Sequence, residues 1–329
     1  MSGPGLPEIA PPPPTGGPVR SEGADRLPVE PVGPGLADLL AEARAVLGSY
    51  AKARWVVERA SGWEPARLLG DPGARVPLEA VARCRSMLQR AAAGEPLQYV
   101  LGRWGFRGLD LRVDPRALIP RPETEHVAEV ARKELARLRA GRSGRATGSA
   151  GTGEAVVDLG TGSGAIALSL AIEDPALTVW ATDASPHALA VAALNRADLG
   201  AQVAGRVHLR AGDWYGALPV HLQARVALIV ANPPYLAEDE VVSLHPAVAN
   251  WEPREALIAG STGLEAIQAV VAGAPRWLTR PGALVLEIAP DQAGAVALLA
   301  TTAGFDEVSV RPDLAGRARA LVARVRGTT

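Results

Sequence analysis

The chain has 329 residues, 48% of them hydrophobic, which is enough to bury two cores. Its 34 basic and 35 acidic side chains leave a net charge of −1, so no bulk electrostatic pull toward nucleic acid or an anionic membrane is expected. No apolar run approaches the ~20 residues of a bilayer span, the amino terminus has no charged-then-apolar leader pattern, and the lone Cys84 cannot form an internal disulfide, so a reducing cytoplasm is the expected compartment.

In chain order, residues 1–33 are rich in Pro and Gly, with too few large apolar groups to offset ordering entropy, and are expected to form a disordered tail. From 34 to 95 the apolar spacing is helical, through Leu36, Leu39, Leu40, Ala43, Leu47, Val56, Val57, Leu78, Val81, Met87 and Leu88. Gly62, Pro65, Pro72-Gly73 and Pro77 cut this stretch into three or four short helices, a small bundle. Residues 98–113 alternate as strands do, with Gly102, Gly105 and Gly108 at candidate turns, so 96–117 is read as a β-hairpin connector. A helix is predicted from Pro122 to near Arg139, because proline suits a first turn and Glu123 and Glu125 favour the positive helix end. The Gly/Ser/Arg stretch 140–153 reads as a flexible insertion within a domain spanning 118–329.

The run ending in Asp158-Leu159 enters Gly160-Thr161-Gly162-Ser163-Gly164 and then an apolar helix, which is a nucleotide-cofactor cradle. Glycines permit a tight turn and close backbone approach, and the free N–H groups of the following helix attract an anion. Asp183 ends the next apolar run about 20 residues on, where an acid binds ribose hydroxyls or caps a helix before Ser185-Pro186. Gly212-Asp213-Trp214 ends a third run with an acid that can accept from an adenine amine and an indole that can stack on its ring; alone, each is more often a cap or core aromatic. Six runs follow the first strand, around Val179, Val207, 226–230, 283–288, 308–310 and 321–325. Their alternation with helices predicts a doubly wound, mostly parallel α/β sheet whose last two strands form an antiparallel edge pair.

After the run 226–231 stands Asn232-Pro233-Pro234-Tyr235. Two prolines fix φ and lack N–H groups, so the carbonyls of Asn232 and Pro233 are left free to face a ligand, and the Asn232 side chain adds an acceptor. Such a clamp can hold both hydrogens of one NH2 group, either a glutamine amide or a base amine, with Tyr235 over its face. The order of glycine turn, acid, acid, Asn-Pro-Pro-Tyr resembles the Rossmann-like methyltransferases that use S-adenosylmethionine. Together with Pro96-Leu97-Gln98-Tyr99, Phe106-Arg107-Gly108, Leu118-Ile119-Pro120-Arg121-Pro122-Glu123-Thr124-Glu125, Trp251-Glu252-Pro253 and Asp313-Leu314-Ala315-Gly316-Arg317, the match covers about residues 36–326 and resembles the HemK/PrmC family.

That resemblance implies a seven-stranded methyltransferase domain, S-adenosylmethionine as cofactor with no metal, and methylation of the glutamine of the Gly-Gly-Gln loop in class I release factors, with the amino-terminal bundle helping to dock the protein. A sister group acts on a ribosomal protein but departs from the Ile-Pro-Arg-Pro-Glu-Thr-Glu form. By the same resemblance, Gly160, Thr161, Gly162, Ser163 and Gly164 hold the methionine part of the cofactor, Asp183 the ribose, and Asp213 and Trp214 the adenine, with Asn232 alongside. Asn232 and Pro233 orient the acceptor nitrogen, while Pro234, Tyr235 and Phe106 wall its pocket, hydrophobic packing being the alternative for Phe106 and Tyr235. Asp158 orders the glycine turn or reaches the cofactor ammonium through water; Glu123 touches that ammonium or caps its helix; Glu252 and Arg254 are a solvated pair or substrate contacts; and His245 is read as a loop residue. The rival reading is an adenine methyltransferase on DNA or RNA, since such clamps also serve enzymes that flip out a base. The neutral charge balance stands against it.

Overall fold

The computed structural model describes residues 32–142 and 154–327; the expected tail up to residue 31 and the insertion from 143 lie outside them. Pairing begins at Val32, because the strand Val32–Gly35 runs antiparallel to Arg75–Pro77. The missing side chain of Gly33 makes this approach possible: a Cβ there would lie 2.5 Å from the Val76 carbonyl oxygen.

Helices Leu36–Leu47, Tyr50–Ser61 and Leu78–Ala92 turn their apolar stripes inward to form one core, in which Leu36, Ala53, Val56, Val57 and Cys84 are fully enclosed. Burial pushes the Cys84 thiol up to about 11, so it behaves as a small hydrophobe. Residues 97–101, expected as the start of a strand, are instead the short helix Leu97–Leu101. Pro96 precedes it and Gly102 closes it in the left-handed region at φ 70°. The hairpin itself is tighter than its expected span, Arg103–Phe106 against Leu109–Arg112.

The helix Pro122–Arg142 runs three residues past its expected end and lays Val127, Ala131, Leu135 and Leu138 on the sheet. That sheet has seven strands in the order Glu307–Pro312, Ala318–Val325, Leu278–Glu287, Val226–Ala231, Glu154–Leu159, Leu177–Asp183, Val207–Ala211. All neighbouring pairs are parallel except those made by Ala318–Val325, which inserts antiparallel between Leu278–Glu287 and Glu307–Pro312. The expected edge pair is therefore present, with its second member drawn inward. Strand order reverses on either side of Glu154–Leu159, and ligands of open α/β sheets bind in the crevice at the carboxyl ends beside such a reversal.

One buried amide joins the hairpin to that crevice. Asn195, 1% exposed on the helix Pro186–Asp198, accepts from the Arg112 N–H at 2.7 Å and donates to the carbonyls of Arg112 (3.1 Å) and Ser163 (2.8 Å). Arg103 and Arg112 reinforce the junction by pairing with Asp198. Asn195→Leu should lower stability by ~1–3 kcal/mol, the cost of stranding buried backbone groups; denaturant unfolding checks this, and an unchanged midpoint would show the junction to be carried elsewhere.

Candidate active site

Four parallel strands end at one cavity, which Gly160, Gly162, Asp183, Asp213, Trp214, Asn232 and Pro234 all line. The first strand delivers the loop 160–164, whose three glycines sit at φ 71°, 58° and 86°, a region costly for any residue with a Cβ. Asp158, just before it, is fully buried; its Oδ2 accepts from Thr161 Oγ1 at 2.7 Å and from the Ala167 N–H at 3.1 Å. It thus ties the turn to the helix Ala165–Glu173. Burial pushes its carboxyl up to about 7, and its Oδ1 has no partner among the described residues.

The second strand ends in Asp183, whose Oδ2 accepts from the Gly162 N–H at 2.8 Å and Oδ1 from the Ser185 N–H at 2.9 Å. The cap before Pro186 comes from the Ser185 hydroxyl, which accepts from Ala188 N–H. Asp183 lines the cavity, and each of its oxygens keeps a spare lone pair, because a carboxylate oxygen accepts two bonds. Burial holds this carboxyl above its usual value.

The third strand leads through Gly212 at φ 148° to Asp213 and Trp214. Trp214 adopts the left-handed region at φ 39°, uncommon for a bulky residue, and its ring lies 3.6 Å from where a Cβ on Gly160 would stand. The indole is thereby laid against the glycine turn. Asp213 is exposed and lines the cavity; its carbonyl accepts from the Gly216 N–H at 2.8 Å, and its carboxylate has no hydrogen-bond partner among the described residues.

The fourth strand ends in Asn232. Its Nδ2 donates to Thr124 Oγ1 at 3.2 Å, and Thr124 Oγ1 donates to Glu287 Oε2 at 2.7 Å. The carbonyls of Asn232 and Pro233 accept no bond from any described residue. Gln292 steadies the next turn by donating to the carbonyls of Tyr235 (2.8 Å) and Gly263 (3.1 Å).

Residues 114–121 cross the cavity as a strap pinned from two sides. The Tyr99 hydroxyl donates to the Ala117 carbonyl at 2.8 Å, while Glu252 accepts from the Ile119 N–H at 3.3 Å and pairs with Arg121. Glu252 is 5% exposed, so its expected solvated pairing with Arg254 gives way to a buried one with Arg121. Glu123 pairs with Arg317, itself held by Asp313, which places the Asp-Leu-Ala-Gly-Arg turn against the first turn of the helix Pro122–Arg142. His245 is an exposed cap accepting from the Ala247 N–H.

Three expected residues are not among those lining the cavity: Pro233 is buried, which leaves only its carbonyl, unbonded to any described residue, for a ligand; Tyr235 packs beside Ile267 and Leu286 in the second core; and Phe106 is 1% exposed among Leu109, Leu111 and Val127. Phe106 takes its packing alternative, because its strand lays it under the helix Pro122–Arg142. Thr124, Glu287, Gln292 and Arg121 are the polar residues not singled out from the sequence. For Glu287 the signal was a carboxylate closing the otherwise apolar run 283–288.

The donor set fits a nucleoside cofactor with an amino-acid tail. Backbone N–H groups and an unpartnered buried carboxylate oxygen of Asp158 flank the glycine turn, Asp183 offers lone pairs for hydroxyls, and Asp213 and Trp214 offer an acceptor beside an apolar face. The sequence matches the methyltransferase small domain family over residues 147–248 and the PrmC N-terminal domain family over 37–102. The fold is also similar to the hMettl16 catalytic domain, with TM-score 0.50 and 13% identity over 76% of this chain and 82% of that one. The fold and site thus define a methyltransferase of the Rossmann-like class. The chain is 44% identical over 276 residues to a release factor glutamine methyltransferase of Cereibacter sphaeroides (83% of this chain, 90% of that one), and 40% identical over 279 residues to that of Burkholderia pseudomallei (84% and 92%). The chain belongs to the release factor glutamine methyltransferase family.

Proposed function

We propose that this enzyme transfers a methyl group from S-adenosylmethionine to the side-chain amide nitrogen of the glutamine in the Gly-Gly-Gln loop of class I peptide chain release factors. The observation that carries this reading is the Asn232 carboxamide at the carboxyl end of its strand, with its Nδ2 committed to Thr124 and no donor to its Oδ1 among the described residues.

An amide nitrogen is a poor nucleophile because its lone pair is delocalised into the carbonyl. The cofactor supplies an activated sulfonium methyl. The protein must therefore supply alignment, a contribution that in favourable systems reaches ~7–11 kcal/mol. Asn232 Oδ1 and the Pro233 carbonyl accept the two N–H bonds of the substrate amide, turn its nitrogen to the methyl, and stabilise positive charge developing there. Once methylated, the amide nitrogen would be acidic enough to give its proton to water, so no histidine base is assigned. Asp158, Asp183, Asp213, Trp214 and the 160–164 backbone hold the cofactor, and the bundle 34–95 with the hairpin connector docks the protein substrate. The partner is a protein met in the cytoplasm; among the described residues no helix is long and apolar enough to cross a membrane.

The test is incubation with labelled cofactor and separately purified release factors, ribosomal protein and oligonucleotides, with the modified residue mapped by mass spectrometry. Label on the Gly-Gly-Gln glutamine supports the reading. Comparable turnover on adenine or on the ribosomal protein would replace it.

A further inference from the structure

The two ends of an asparagine carboxamide are alike in shape, so shape alone does not decide which end Asn232 shows to a substrate. A chain of three side chains decides it. Glu287 closes its strand one rung beyond Leu286, which pairs with Ala231, so Glu287 and Asn232 leave neighbouring parallel strands side by side. Thr124, in the first turn of the helix Pro122–Arg142, bridges them. All but Asn232 are sealed from water: Thr124 is 4% exposed and Glu287 1%. A threonine hydroxyl has one proton, and here it is spent on the Glu287 carboxylate. Toward Asn232 it can only accept.

We propose that Thr124 and Glu287 form a polarity lock that holds Asn232 with Nδ2 inward and Oδ1 toward the substrate, making the site select an NH2 donor over a carboxylate. This rests on the glutamine-methylation reading and deepens it. Were the carboxamide reversed, the site would offer two N–H donors where it now offers lone pairs. It would then suit the acid form of the substrate side chain, glutamate, and leave the amide nitrogen without its acceptor. Thr124 and Glu287 are positioning residues, acting through Asn232.

The lock carries a pH dependence with a defined sign. Around Glu287 stand Thr124, Arg319 and Arg121, which favour the ionised form, and Glu123, which opposes it, with the Tyr235 hydroxyl nearby; burial outweighs them and pushes the carboxyl up to about 7. Ionised, Glu287 takes the Thr124 proton and the lock is set. Protonated, it can itself donate to Thr124 Oγ1, freeing the hydroxyl proton to turn toward Asn232 and releasing the carboxamide. Activity should therefore fall as pH drops through Glu287's titration.

Methyl transfer to a release factor, cofactor affinity by calorimetry, and competition by loop peptides carrying Gln or Glu test this in Thr124→Val, Thr124→Ser and Glu287→Gln. Thr124→Val should lose roughly tenfold to a hundredfold in kcat through misorientation, keep its cofactor affinity, and lose its preference for the Gln peptide; Thr124→Ser should restore all three. Glu287→Gln, which can still accept from Thr124 but cannot titrate, should show a profile without the acid limb between about pH 6 and pH 8. Wild-type kcat and discrimination in Thr124→Val, or an unchanged acid limb in Glu287→Gln, would overturn the lock while leaving glutamine methylation in place. Failure of the wild-type enzyme to modify any release-factor glutamine would overturn both.

Discussion

Asn232→Ala should lose roughly 10²–10³-fold in kcat, the loss seen when one group that stabilises developing charge is removed from a preorganised site. Cofactor affinity should largely remain, although Asn232 also borders the cavity, because the other three strand ends build most of the cradle: Asp158 and Asp183 order the glycine turn, and Trp214 lies on Gly160. The fold should also survive, since Thr124 keeps its bond to Glu287 and only one bond, Nδ2 to Oγ1, is lost. Steady-state kinetics with a release factor, beside calorimetry with the cofactor, separates the two effects. Turnover equal to wild type would remove the carboxamide from the chemistry.

Asp183→Ala should do the reverse, raising the cofactor Kd by ~10–100-fold while leaving kcat at saturation within a few-fold. The carboxylate holds the Gly162 N–H on one side and the Ser185 N–H on the other, so its loss both loosens the turn and removes the spare lone pairs at the cavity. Hydrogen bonds to charged groups contribute ~1.5–3 kcal/mol each, which sets that range. What then still holds the turn is Asp158 and the Gly160 and Thr161 N–H bonds to the Thr182 carbonyl, so the loop loosens without opening. A Kd unchanged by this substitution, with the loss appearing in kcat instead, would place Asp183 in the chemistry rather than in cofactor binding.

Both predictions begin from features visible in the sequence, because strand ends carry their own signals. A glycine-rich turn, an acid after an apolar run and two prolines after an asparagine are local patterns, and each is tied to a backbone geometry. The parallel order of the sheet was legible from the alternation of runs, and so was the edge pair. The strand Ala318–Val325, however, takes the inner place beside Leu278–Glu287, which is a matter of register that local pattern does not carry. The helical start of the connector was missed for the opposite reason. Gln98-Tyr99-Val100-Leu101 reads as strand by composition, yet burial of Tyr99, Val100 and Leu101 together, between Pro96 and Gly102, favours one helical turn.

Within the site, what the sequence hid was the second layer. Thr124 and Glu287 are 163 positions apart, and only the stacking of the helix Pro122–Arg142 on the strand end brings them together. Glu252 looked like a surface acid because Arg254 follows it closely, but the strap 114–121 folds over and gives it Ile119 and Arg121 instead. Phe106 was expected either to wall the acceptor pocket or to pack, and its strand lays it in the core. In each case the deciding contact is long-range, and spacing along the chain does not encode it.

The claim on which the rest depends is that the substrate amide is gripped by Asn232 Oδ1 and the Pro233 carbonyl. Crystallising the enzyme with the demethylated cofactor and a Gly-Gly-Gln loop peptide tests this directly. The account predicts the glutamine nitrogen within roughly 2.7–3.2 Å of both oxygens, with its face toward the cofactor sulfur. A glutamine side chain bound in order elsewhere, with both oxygens facing water, would contradict it.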